Sequence, residues 1–578
     1  MRKALLLNFF LLITVLSFAG NYRIFINPDA SVAEKWAAQE LQHWLYTISN
    51  EYLPVQHYDG SYKGHKIILG YNEAVKSKTG DPAPAFDDES FQYFSADGDI
   101  YIYGGKERGT MYAVFTFLEN EFGCRWYTPQ VTVIPKREKL VFGDYHYKSA
   151  PGIAVRNDFY FEAFDATWAA RNKMNGRMFL WDSKNSQPDG VFYKKQVGGE
   201  ETYWSVHTFY PLMPPEEFFD KHPEYYSLIN GKRTHNNAQL CLSNKDVLKI
   251  IIDRIKENIR RYPDFMIYDV SQNDCYNPCQ CDKCQKIVKE EGAESGIMIW
   301  FVNQVAEAIE KEFPDKYIGT LAYQYTRTPP RNVKPRRNVV VRLCPIEACV
   351  AHDLTSCEKN KSFLNDLQKW AAVSPHLYIW DYVVNFAAYS MPYPNFAVLQ
   401  SNIKTFKENK SIGIMEQAAY QSRGGEFSEL KSFLLAKLLW NPDIDTREVI
   451  DDFIWGYYGR SGKYIKQYFD AAQNLITPEV HMKIGLKPTD KMFTDEFVNT
   501  SLELFKQADR VADNEKIRSR VALSALPVLY LKCMRNPVAS RNDGTYAKAL
   551  YIIEKEGVTL LAEDGGMERF KKHVESAQ

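Results

Sequence analysis

Apolar residues recur along most of the chain with the two periods that mark strands and helices. Near the N-terminus a strand-like run, YRIFINP, precedes SVAEKWAAQELQHWLYTI, whose apolar residues recur at helical spacing. The stretch FQYFSADGDIYIYGG predicts a hairpin that turns at Asp97–Gly98, and the following helix is predicted to end at Gly123. This pattern predicts a compact α/β domain over residues 20–151.

Short apolar runs then alternate with amphipathic helices up to about residue 439. Eight of these runs have the composition of buried strands: AVRNDFYF, RMFLW, YWSVHTF, FMIYDVSQN, YIGTLAYQY, NVVVRLCPIE, LYIWDYVV and SIGIMEQAAY. Eight strands that alternate with helices are typical of a (β/α)8 barrel, so we predict a TIM-like barrel over residues 152–439. A doubly wound open sheet is the alternative, but no glycine-rich phosphate loop follows any of these strands.

Two further segments complete the predicted organisation. An insertion between the third and fourth strands predicts a subdomain built on a hairpin at Asn230–Gly231. Residues 440–578 have the apolar periodicity of helices, as in REVIDDFIWGYYG and EFVNTSLELFKQADRVA, and predict a helical C-terminal domain.

The first nineteen residues have the pattern of a cleaved signal peptide. Positive charge in MRK precedes the apolar run ALLLNFFLLITVLSF, and Ser17-Phe18-Ala19 provides a cleavage site of small residues. The run is too short for a transmembrane anchor, and no cysteine stands near the cleavage point for lipidation. We therefore expect an exported protein, periplasmic or secreted, whose mature chain does not insert into a membrane.

Composition narrows the classes of partner. The formal net charge of −1 gives no reason to expect a nucleic acid or an anionic membrane as partner. Aromatic residues make up 14% of the chain, and aromatic faces stack on sugar rings as readily as they fill cores. The aromatic content alone indicates carbohydrate binding only weakly, since a large aromatic core explains it equally well.

The polar groups at the ends of the predicted strands predict the site. In a (β/α)8 barrel the active site lies at the C-terminal ends of the strands. Four carboxylates interleaved with aromatic and amide side chains around this rim are typical of a site that cleaves sugars. The residues at these positions are His207, Asn273, Asp274, Tyr325, Glu347, Trp380, Asp381 and Glu416.

Each of these residues also has a structural explanation. A lone carboxylate at a strand end often caps the next helix, and a lone histidine is often a hydrogen-bonded core residue. Strand alternation would place Asp381 on the opposite face from Trp380. The set of strand-end positions therefore carries the prediction, and no single member does.

Four cysteines fall within the segment SQNDCYNPCQCDKC, at the end of the fourth strand. Cys279, Cys281 and Cys284 have a spacing that suits zinc, with Cys275 as a possible fourth ligand. No second cysteine or histidine pair stands at a zinc-ribbon distance, and an exported protein is a poor place to keep thiolates reduced. Disulfides with one another, or with Cys344, Cys349 and Cys357, are the alternative. We expect a structural brace, either a disulfide or a small metal knot, and neither a catalytic metal nor a cofactor.

Several of these stretches resemble one bacterial family. VSQND, PCQCDKC, TLAYQYTRTPP, VVVRLCPIEACVAHDL, IWDYVVNFAAY and GIMEQAAYQSRGGEFSELKSFLLAKLLWNPD are similar to the domain of unknown function 4838. Part of that family is classed as glycoside hydrolase family 163, endo-β-N-acetylglucosaminidases that act on complex N-glycans. AAQELQHWLYTI and GGKERGTMYAVFTFLENEFGCRWYTP resemble the accessory α/β domain of β-hexosaminidases and α-glucuronidases.

This resemblance implies an exported enzyme that cuts the GlcNAc–GlcNAc core of an N-glycan, with the substrate's own acetamido oxygen as nucleophile. Glu347 would then be the acid, and Asp274, beside Asn273, would orient the acetamide. Related hexosaminidases place an adjacent Asp-Glu pair there, so Asp274 as acid with Glu347 as direct nucleophile is the rival assignment. The remaining strand-end residues would bind the sugar: Asp381 and Glu416 through its hydroxyls, His207 and Tyr325 in the pocket, and Trp380 by stacking.

Two other functions are compatible with the same residues. The domain order also suits an exo-acting hexosaminidase or an α-glucuronidase. A barrel that binds a GlcNAc-containing glycan without cleaving it is the alternative outside the enzymes.

Overall fold

The computed structural model describes residues 22–179 and 201–578, so the predicted signal peptide lies outside the described residues. The described chain forms two compact units, residues 22–125 with 132–150, and residues 126–131 with 151–179 and 201–578. Within these ranges no helix is both long and apolar enough to cross a membrane.

The first unit contains a mixed six-stranded sheet in the order β2-β1-β3-β5-β4-β8. The predicted hairpin is confirmed, because β4 and β5 pair antiparallel and the turn residues Asp97 and Gly98 have φ of 52° and 80°. A capping box between Ser31 and Glu34 begins α1, and Gly123 in the left-handed conformation ends α3. The elements up to residue 149 are β1 (Arg23–Ile26), α1 (Val32–Ser49), β2 (Val55–His57), β3 (Lys66–Leu69), α2 (Glu73–Thr79), β4 (Phe91–Ala96), β5 (Asp99–Gly104), α3 (Gly109–Phe122), β6 (Arg125–Thr128), β7 (Val131–Val133) and β8 (His146–Ser149).

The second unit is built on a curled parallel sheet of eight strands, and each of the eight predicted strands contributes one of them. The strands are β9 (Val155–Phe159), β10 (Gly176–Phe179), β11 (Glu201–Trp204), β14 (Ile267–Asp269), β15 (Tyr317–Ala322), β16 (Val339–Leu343), β17 (His376–Tyr382) and β18 (Ser411–Gln417). Their order is β10-β11-β14-β15-β16-β17-β18-β9, so the last strand pairs with the first. This order has no reversal point, which argues against the doubly wound alternative.

Between β9 and β10 the described residues form no ladder. Backbone and side-chain hydrogen bonds join the segments instead. For example, the Asn175 backbone N–H donates to the Arg156 carbonyl at 3.2 Å, and the Arg156 N–H donates to Asn175 Oδ1 at 2.8 Å. The eight strands therefore form one parallel sheet with β10 and β9 at its edges. The closure of this sheet into a barrel stays a prediction.

Helices flank the strands, and further helices follow the sheet. In α7 the buried residues Val247, Ile251, Ile255 and Ile259 recur every four positions, which gives the helix one apolar face. The helices are α4 (Ala166–Arg171), α5 (Phe209–Leu212), α6 (Pro215–Phe218), α7 (Lys245–Arg261), α8 (Asp282–Glu291), α9 (Glu294–Glu310), α10 (Lys361–Val373), α11 (Phe396–Glu408), α12 (Ser428–Trp440), α13 (Thr446–Tyr458), α14 (Gly462–Gln473), α15 (Asp495–Arg510), α16 (Glu515–Arg535), α17 (Pro537–Asn542), α18 (Thr545–Glu556) and α19 (Met567–Ser576).

The predicted hairpin in the insertion is also present. β12 (Leu228–Ile229) and β13 (Lys232–Arg233) pair antiparallel around Asn230 and Gly231, which both have positive φ. The helices after residue 440 belong to the same compact unit as the sheet. The predicted domain boundary at residue 439 therefore stays a prediction.

Candidate active site

A cavity of about 240 Å³ opens at the C-terminal ends of the parallel strands. Its wall combines aromatic rings with two carboxylates, and it includes two residues from beyond the sheet, Ile484 and Glu563. The lining residues are Phe159, Val206, His207, Asp274, Leu321, Tyr323, Cys344, Ile346, Trp380, Tyr382, Phe386, Gln417, Tyr420, Ile484 and Glu563. Three predicted site residues, His207, Asp274 and Trp380, are thus brought together.

Asp274 lies on the loop after β14 and faces the cavity. The Tyr323 hydroxyl, at the end of β15, donates to Asp274 Oδ1 at 3.0 Å and so orients the carboxylate. The neighbouring Asn273 does not line the cavity, because its side chain is engaged in the loop. Its amide donates to the Ala238 carbonyl at 2.9 Å, and its oxygen accepts from the Tyr210 N–H. Asn273 therefore holds the loop that presents Asp274.

Glu563 is the second carboxylate of the cavity. It lies in the turn between α18 and α19, and its backbone N–H donates to the Phe386 carbonyl in the loop after β17 at 3.0 Å. Desolvation raises the pKa of Glu563, and the negative charges of Asp274 and Asp564 raise it further. The carboxyl group is therefore biased toward the protonated form that a general acid needs.

A chain of hydrogen bonds connects Trp380 to Glu563. The Trp380 indole N–H donates to Gln417 Oε1 at 2.7 Å, which turns the amide nitrogen of Gln417 toward Glu563. That nitrogen donates to Glu563 Oε1 at 3.3 Å. Trp380 thus has two functions, since its ring forms part of the wall and its N–H positions the partner of Glu563.

His207 is held in an uncommon backbone conformation at the cavity wall, with φ of 55°. Its Nδ1 lies 2.7 Å from the Gln272 carbonyl, so this nitrogen carries the proton and donates. The tautomer leaves Nε2 as an acceptor for a substrate hydroxyl. The ring centre lies 5.9 Å from that of Tyr323.

Glu347 does not line the cavity. The turn after β16, closed by the Ala348 N–H to the Pro345 carbonyl at 2.8 Å, presents Ile346 to the cavity and Glu347 to solvent. The Glu347 carboxylate pairs with Arg327 at 2.9 Å, and Arg327 also contacts Asp366. A catalytic role for Glu347 thus stays a prediction that its position does not favour.

Asp381 and Glu416 also lie outside the cavity lining. They are direct neighbours on β17 and β18, and Glu416 is in turn beside Asp158 on β9, so three carboxyl groups form a row across the sheet. Trp380 and Gln417 take the cavity face, so alternation places this row on the opposite face. Burial raises the pKa of Asp158 and of Asp381 to about 7, and raises that of Glu416 well above its usual range.

Tyr325 is not part of this cavity either. It borders a separate, smaller cavity with Phe209, Gln239 and Met298, and desolvation raises its pKa well above the usual range.

The cysteines of the insertion and of the β14 loop form one cluster. The four sulfur atoms of Cys241, Cys279, Cys281 and Cys284 all lie within 4.8 Å of one another. Cys275, which the sequence suggested as fourth partner, points instead to the Ala238 carbonyl. A single cysteine 38 positions upstream gave no spacing signal, so Cys241 was missed.

A second cluster joins the β16 loop to the segment after α14. It consists of Cys349, His352, Cys357 and His481, whose ligand atoms also lie within 4.8 Å of one another. Cys344, by contrast, lines the cavity. The first three residues have the spacing C-x-x-H-x4-C, a signal that could have indicated a metal site. The fourth, His481, follows Cys357 by 124 positions, and no local pattern connects the two.

The profile of DUF4838, described as a domain of unknown function, matches residues 126–470. No curated protein matches the chain.

Solved glycoside hydrolase structures share the fold at low sequence identity. One is described as "Structure of CpGH84B", with a TM-score of 0.51, 12% identity, and coverage of 96% of both chains. A second is "A novel family GH115 4-O-Methyl-alpha-glucuronidase, BtGH115A, with specificity for decorated arabinogalactans", with a TM-score of 0.56, 11% identity, and coverage of 96% of this chain and 78% of that one. A third, "Structure of CpGH84D", has a TM-score of 0.51, 11% identity, and coverage of 96% and 91%.

Proposed function

The chain belongs to the DUF4838 family, and from that premise we propose that it is a glycoside hydrolase whose two acting carboxyl groups are Asp274 and Glu563. The observation that carries this proposal is the presence of both groups in one aromatic-walled cavity at the strand ends. The fold shared with glycoside hydrolases supports it, as does the position of the cavity, where barrel enzymes have their active sites. We include in the proposal that the eight-stranded sheet closes into a barrel.

The two carboxyl groups have different surroundings, which suits the two tasks of glycoside cleavage. One group must protonate the leaving oxygen, and the other must stabilise or attack the positively charged sugar. Glu563 suits the acid, because desolvation and the charge of Asp274 raise its pKa. Asp274 suits the second task, because Tyr323 orients its carboxylate by a hydrogen bond.

The finer proposal is an exported endo-β-N-acetylglucosaminidase that cuts the GlcNAc–GlcNAc core of N-glycans. Its support is the resemblance of the strand-end motifs to the family members classed as glycoside hydrolase family 163. In substrate-assisted catalysis Asp274 would accept a hydrogen bond from the acetamide N–H while Glu563 protonates the leaving sugar. The stacking surfaces would be Trp380, Tyr382 and Tyr420 in the wall.

A second candidate is an exo-acting glycosidase that removes a terminal hexosamine or an α-linked glucuronic acid. It is favoured by the fold likeness to BtGH115A, which its description calls a 4-O-methyl-α-glucuronidase. The two candidates differ in their products, since an endo enzyme releases an intact oligosaccharide and an exo enzyme releases a monosaccharide.

The test uses the full-length protein and an N-glycosylated protein as substrate. Mass spectrometry of the digest should show a released glycan and a single GlcNAc left on the peptide. Release of monosaccharides only would select the exo candidate, and binding of the glycan without any cleavage would refute the enzyme.

Variants then test the residue assignment. Glu563→Gln and Asp274→Asn should each lower kcat by about 10²–10⁴-fold, the usual contribution of a general acid or base. Asp315→Asn is the control, because its exposed carboxylate pairs with Lys316 at 3.3 Å and does not line the cavity. If Glu347→Gln abolishes cleavage while Glu563→Gln is active, the acid is Glu347 and the present assignment is wrong.

A further inference from the structure

We propose that the chain binds two structural zinc ions, one at Cys241, Cys279, Cys281 and Cys284, and the other at Cys349, His352, Cys357 and His481. Neither set lines the cavity, so the ions would hold loops and not act on substrate. Four protein ligands close the coordination shell, which is the arrangement of structural rather than catalytic zinc.

The distances in the four-cysteine cluster fit a tetrahedral ion. With Zn–S bonds of about 2.3 Å, two sulfurs of a tetrahedron are about 3.8 Å apart. Cys241 Sγ lies 3.7 Å from Cys281 Sγ and 3.8 Å from Cys284 Sγ. One sulfur is thus equally close to two others, whereas a disulfide would bring a single pair together.

The surroundings of this cluster supply hydrogen-bond donors and positive charge for thiolates. The Leu228 N–H donates to Cys279 Sγ at 3.3 Å, and the Arg233 guanidinium lies 3.6 Å from the same sulfur. The Ser243 hydroxyl is 3.1 Å from Cys284 Sγ. Such outer partners orient metal ligands and offset the charge of a four-thiolate site.

The second cluster supports zinc independently of the first. Two of its four groups are imidazoles, which bind zinc but cannot take part in a disulfide. For Zn–N bonds of about 2.05 Å and Zn–S bonds of about 2.3 Å, a tetrahedron places nitrogen and sulfur about 3.5 Å apart. His481 Nδ1 lies 3.3 Å from Cys349 Sγ and 3.8 Å from Cys357 Sγ, and His352 Nδ1 lies 3.7 Å from Cys349 Sγ.

The tautomer of His352 also agrees with a metal. Its Nε2 lies 3.1 Å from the Thr477 carbonyl and therefore carries the proton, which leaves a lone pair on Nδ1 toward the two sulfurs. A histidine that ligates a metal usually donates its other N–H to a carbonyl or carboxylate in this way. A disulfide between Cys349 and Cys357 would not explain why two imidazole nitrogens lie beside the sulfurs.

Zinc is the metal that this ligand chemistry favours. Tetrahedral sets of four sulfurs, or of two sulfurs and two nitrogens, are typical of zinc. Each ion would connect a cavity loop to a distant segment. The first would join the loop of Asp274 to the insertion, and the second would join the loop of Ile346 to the segment that carries Ile484.

The direct test is the zinc content of the purified full-length protein. We expect two zinc ions per chain by mass spectrometry of the metals. X-ray absorption should report an average of three sulfur and one nitrogen ligands per ion, because six sulfurs and two nitrogens are shared between two ions. Zinc below half an equivalent, together with cysteines that alkylate only after reduction, would overturn the proposal in favour of disulfides.

Variants assign each ion to its cluster. Cys281→Ser and His481→Ala should each lower the zinc content from two to one. Cys275→Ser is the matched control and should keep two, since its sulfur belongs to neither cluster. If His481→Ala keeps two ions, the second site is wrong. The metal content and alkylation of the unmodified protein decide the question even if a variant fails to fold.

Discussion

The buried row of Asp158, Glu416 and Asp381 predicts that the protein loses stability as the pH rises toward neutrality. The three groups are neighbours across β9, β18 and β17, on the face of the sheet opposite the cavity. Both carboxyl oxygens of Glu416 are buried without a hydrogen-bond partner in the described structure. Ionisation of such groups is costly, because the charge would lie in a medium that solvates it poorly.

The sign follows from the direction of the pKa shift. Desolvation raises the pKa of Asp381 to about 7, from a model-peptide value near 4. Between these two values the folded protein binds the proton and the unfolded chain does not, so the free energy of unfolding falls as the pH rises. Stability from this group is present at low pH and is lost as the pH passes through 7. Integrated from pH 5 to pH 8, the loss from Asp381 is about 3 kcal/mol.

Asp381→Asn is the perturbation that removes this contribution. The Asn oxygen can still accept the Tyr382 N–H, which donates to Asp381 Oδ1 at 2.8 Å. Any packing cost of the new amide is the same at both pH values, so it cancels in the difference between them. We therefore expect the loss of unfolding free energy between pH 5 and pH 8 to be about 3 kcal/mol smaller in the variant.

Urea unfolding followed by tryptophan fluorescence at pH 5 and pH 8 measures this difference. Asp315→Asn, which removes an exposed carboxylate at the surface, is the control and should show the pH dependence of the unmodified protein. Equal losses in Asp381→Asn and the unmodified protein would mean that Asp381 is already ionised in the fold, and the reasoning from burial would be refuted.

Two other substitutions test the packing of the same unit. Lys431→Met breaks the fully buried ion pair between Lys431 Nζ and Glu426 Oε2 at 3.1 Å. Urea unfolding should then show a loss of about 3–5 kcal/mol in the free energy of unfolding, because the Glu426 carboxylate is left buried and unpaired. The double variant with Glu426→Gln should recover most of this loss. Gly319→Ala would place a methyl group 2.1 Å from the Tyr203 hydroxyl, which donates to Asp269. Thermal denaturation should show a loss of about 1–3 kcal/mol in the free energy of unfolding, because the core has to shift to accept the methyl group. Tyr203→Phe in the same chain should partly relieve this loss. An unchanged midpoint in either single variant would contradict the corresponding contact.

The strands and turns could be predicted because their signals are local. Strands buried on both faces are rich in apolar residues, as in the run from Val339 to Val341. The Asn230–Gly231 and Asp97–Gly98 pairs have the residues that tight hairpins require. For the same reason Asp274, His207 and Trp380 could be placed at the cavity, since each stands at the C-terminal end of a recognisable strand.

Alternation and turn geometry decide which strand-end residues face the cavity, and here the sequence was less informative. Trp380 and Asp381 are adjacent in one strand, so only one of them can face the substrate side. Trp380 is the one that lines the cavity. Glu347 follows a proline turn whose direction no sequence pattern reports, and the turn presents Ile346 instead.

Glu563 could not be predicted from the strands, because its partner in the cavity, Gln417, lies 146 residues earlier in the chain. The loop after β17 makes this contact possible. The Phe386 N–H donates to the Ile484 carbonyl at 2.9 Å, and the Phe386 carbonyl accepts from the Glu563 N–H. The backbone of Phe386 therefore binds both C-terminal segments that reach the cavity, the one with Ile484 and the one with Glu563.

The family match covers only part of the proposed site. The DUF4838 match ends at residue 470, before His481, Ile484 and Glu563. The matched region therefore contains the strands and Asp274, but it does not contain the second carboxyl group or one ligand of the proposed second zinc site. If Glu563 is the acid, family members that share the matched region without an equivalent carboxyl group in the C-terminal turn should bind glycans without cleaving them. The chemistry of this chain would then depend on a segment that the family definition leaves out.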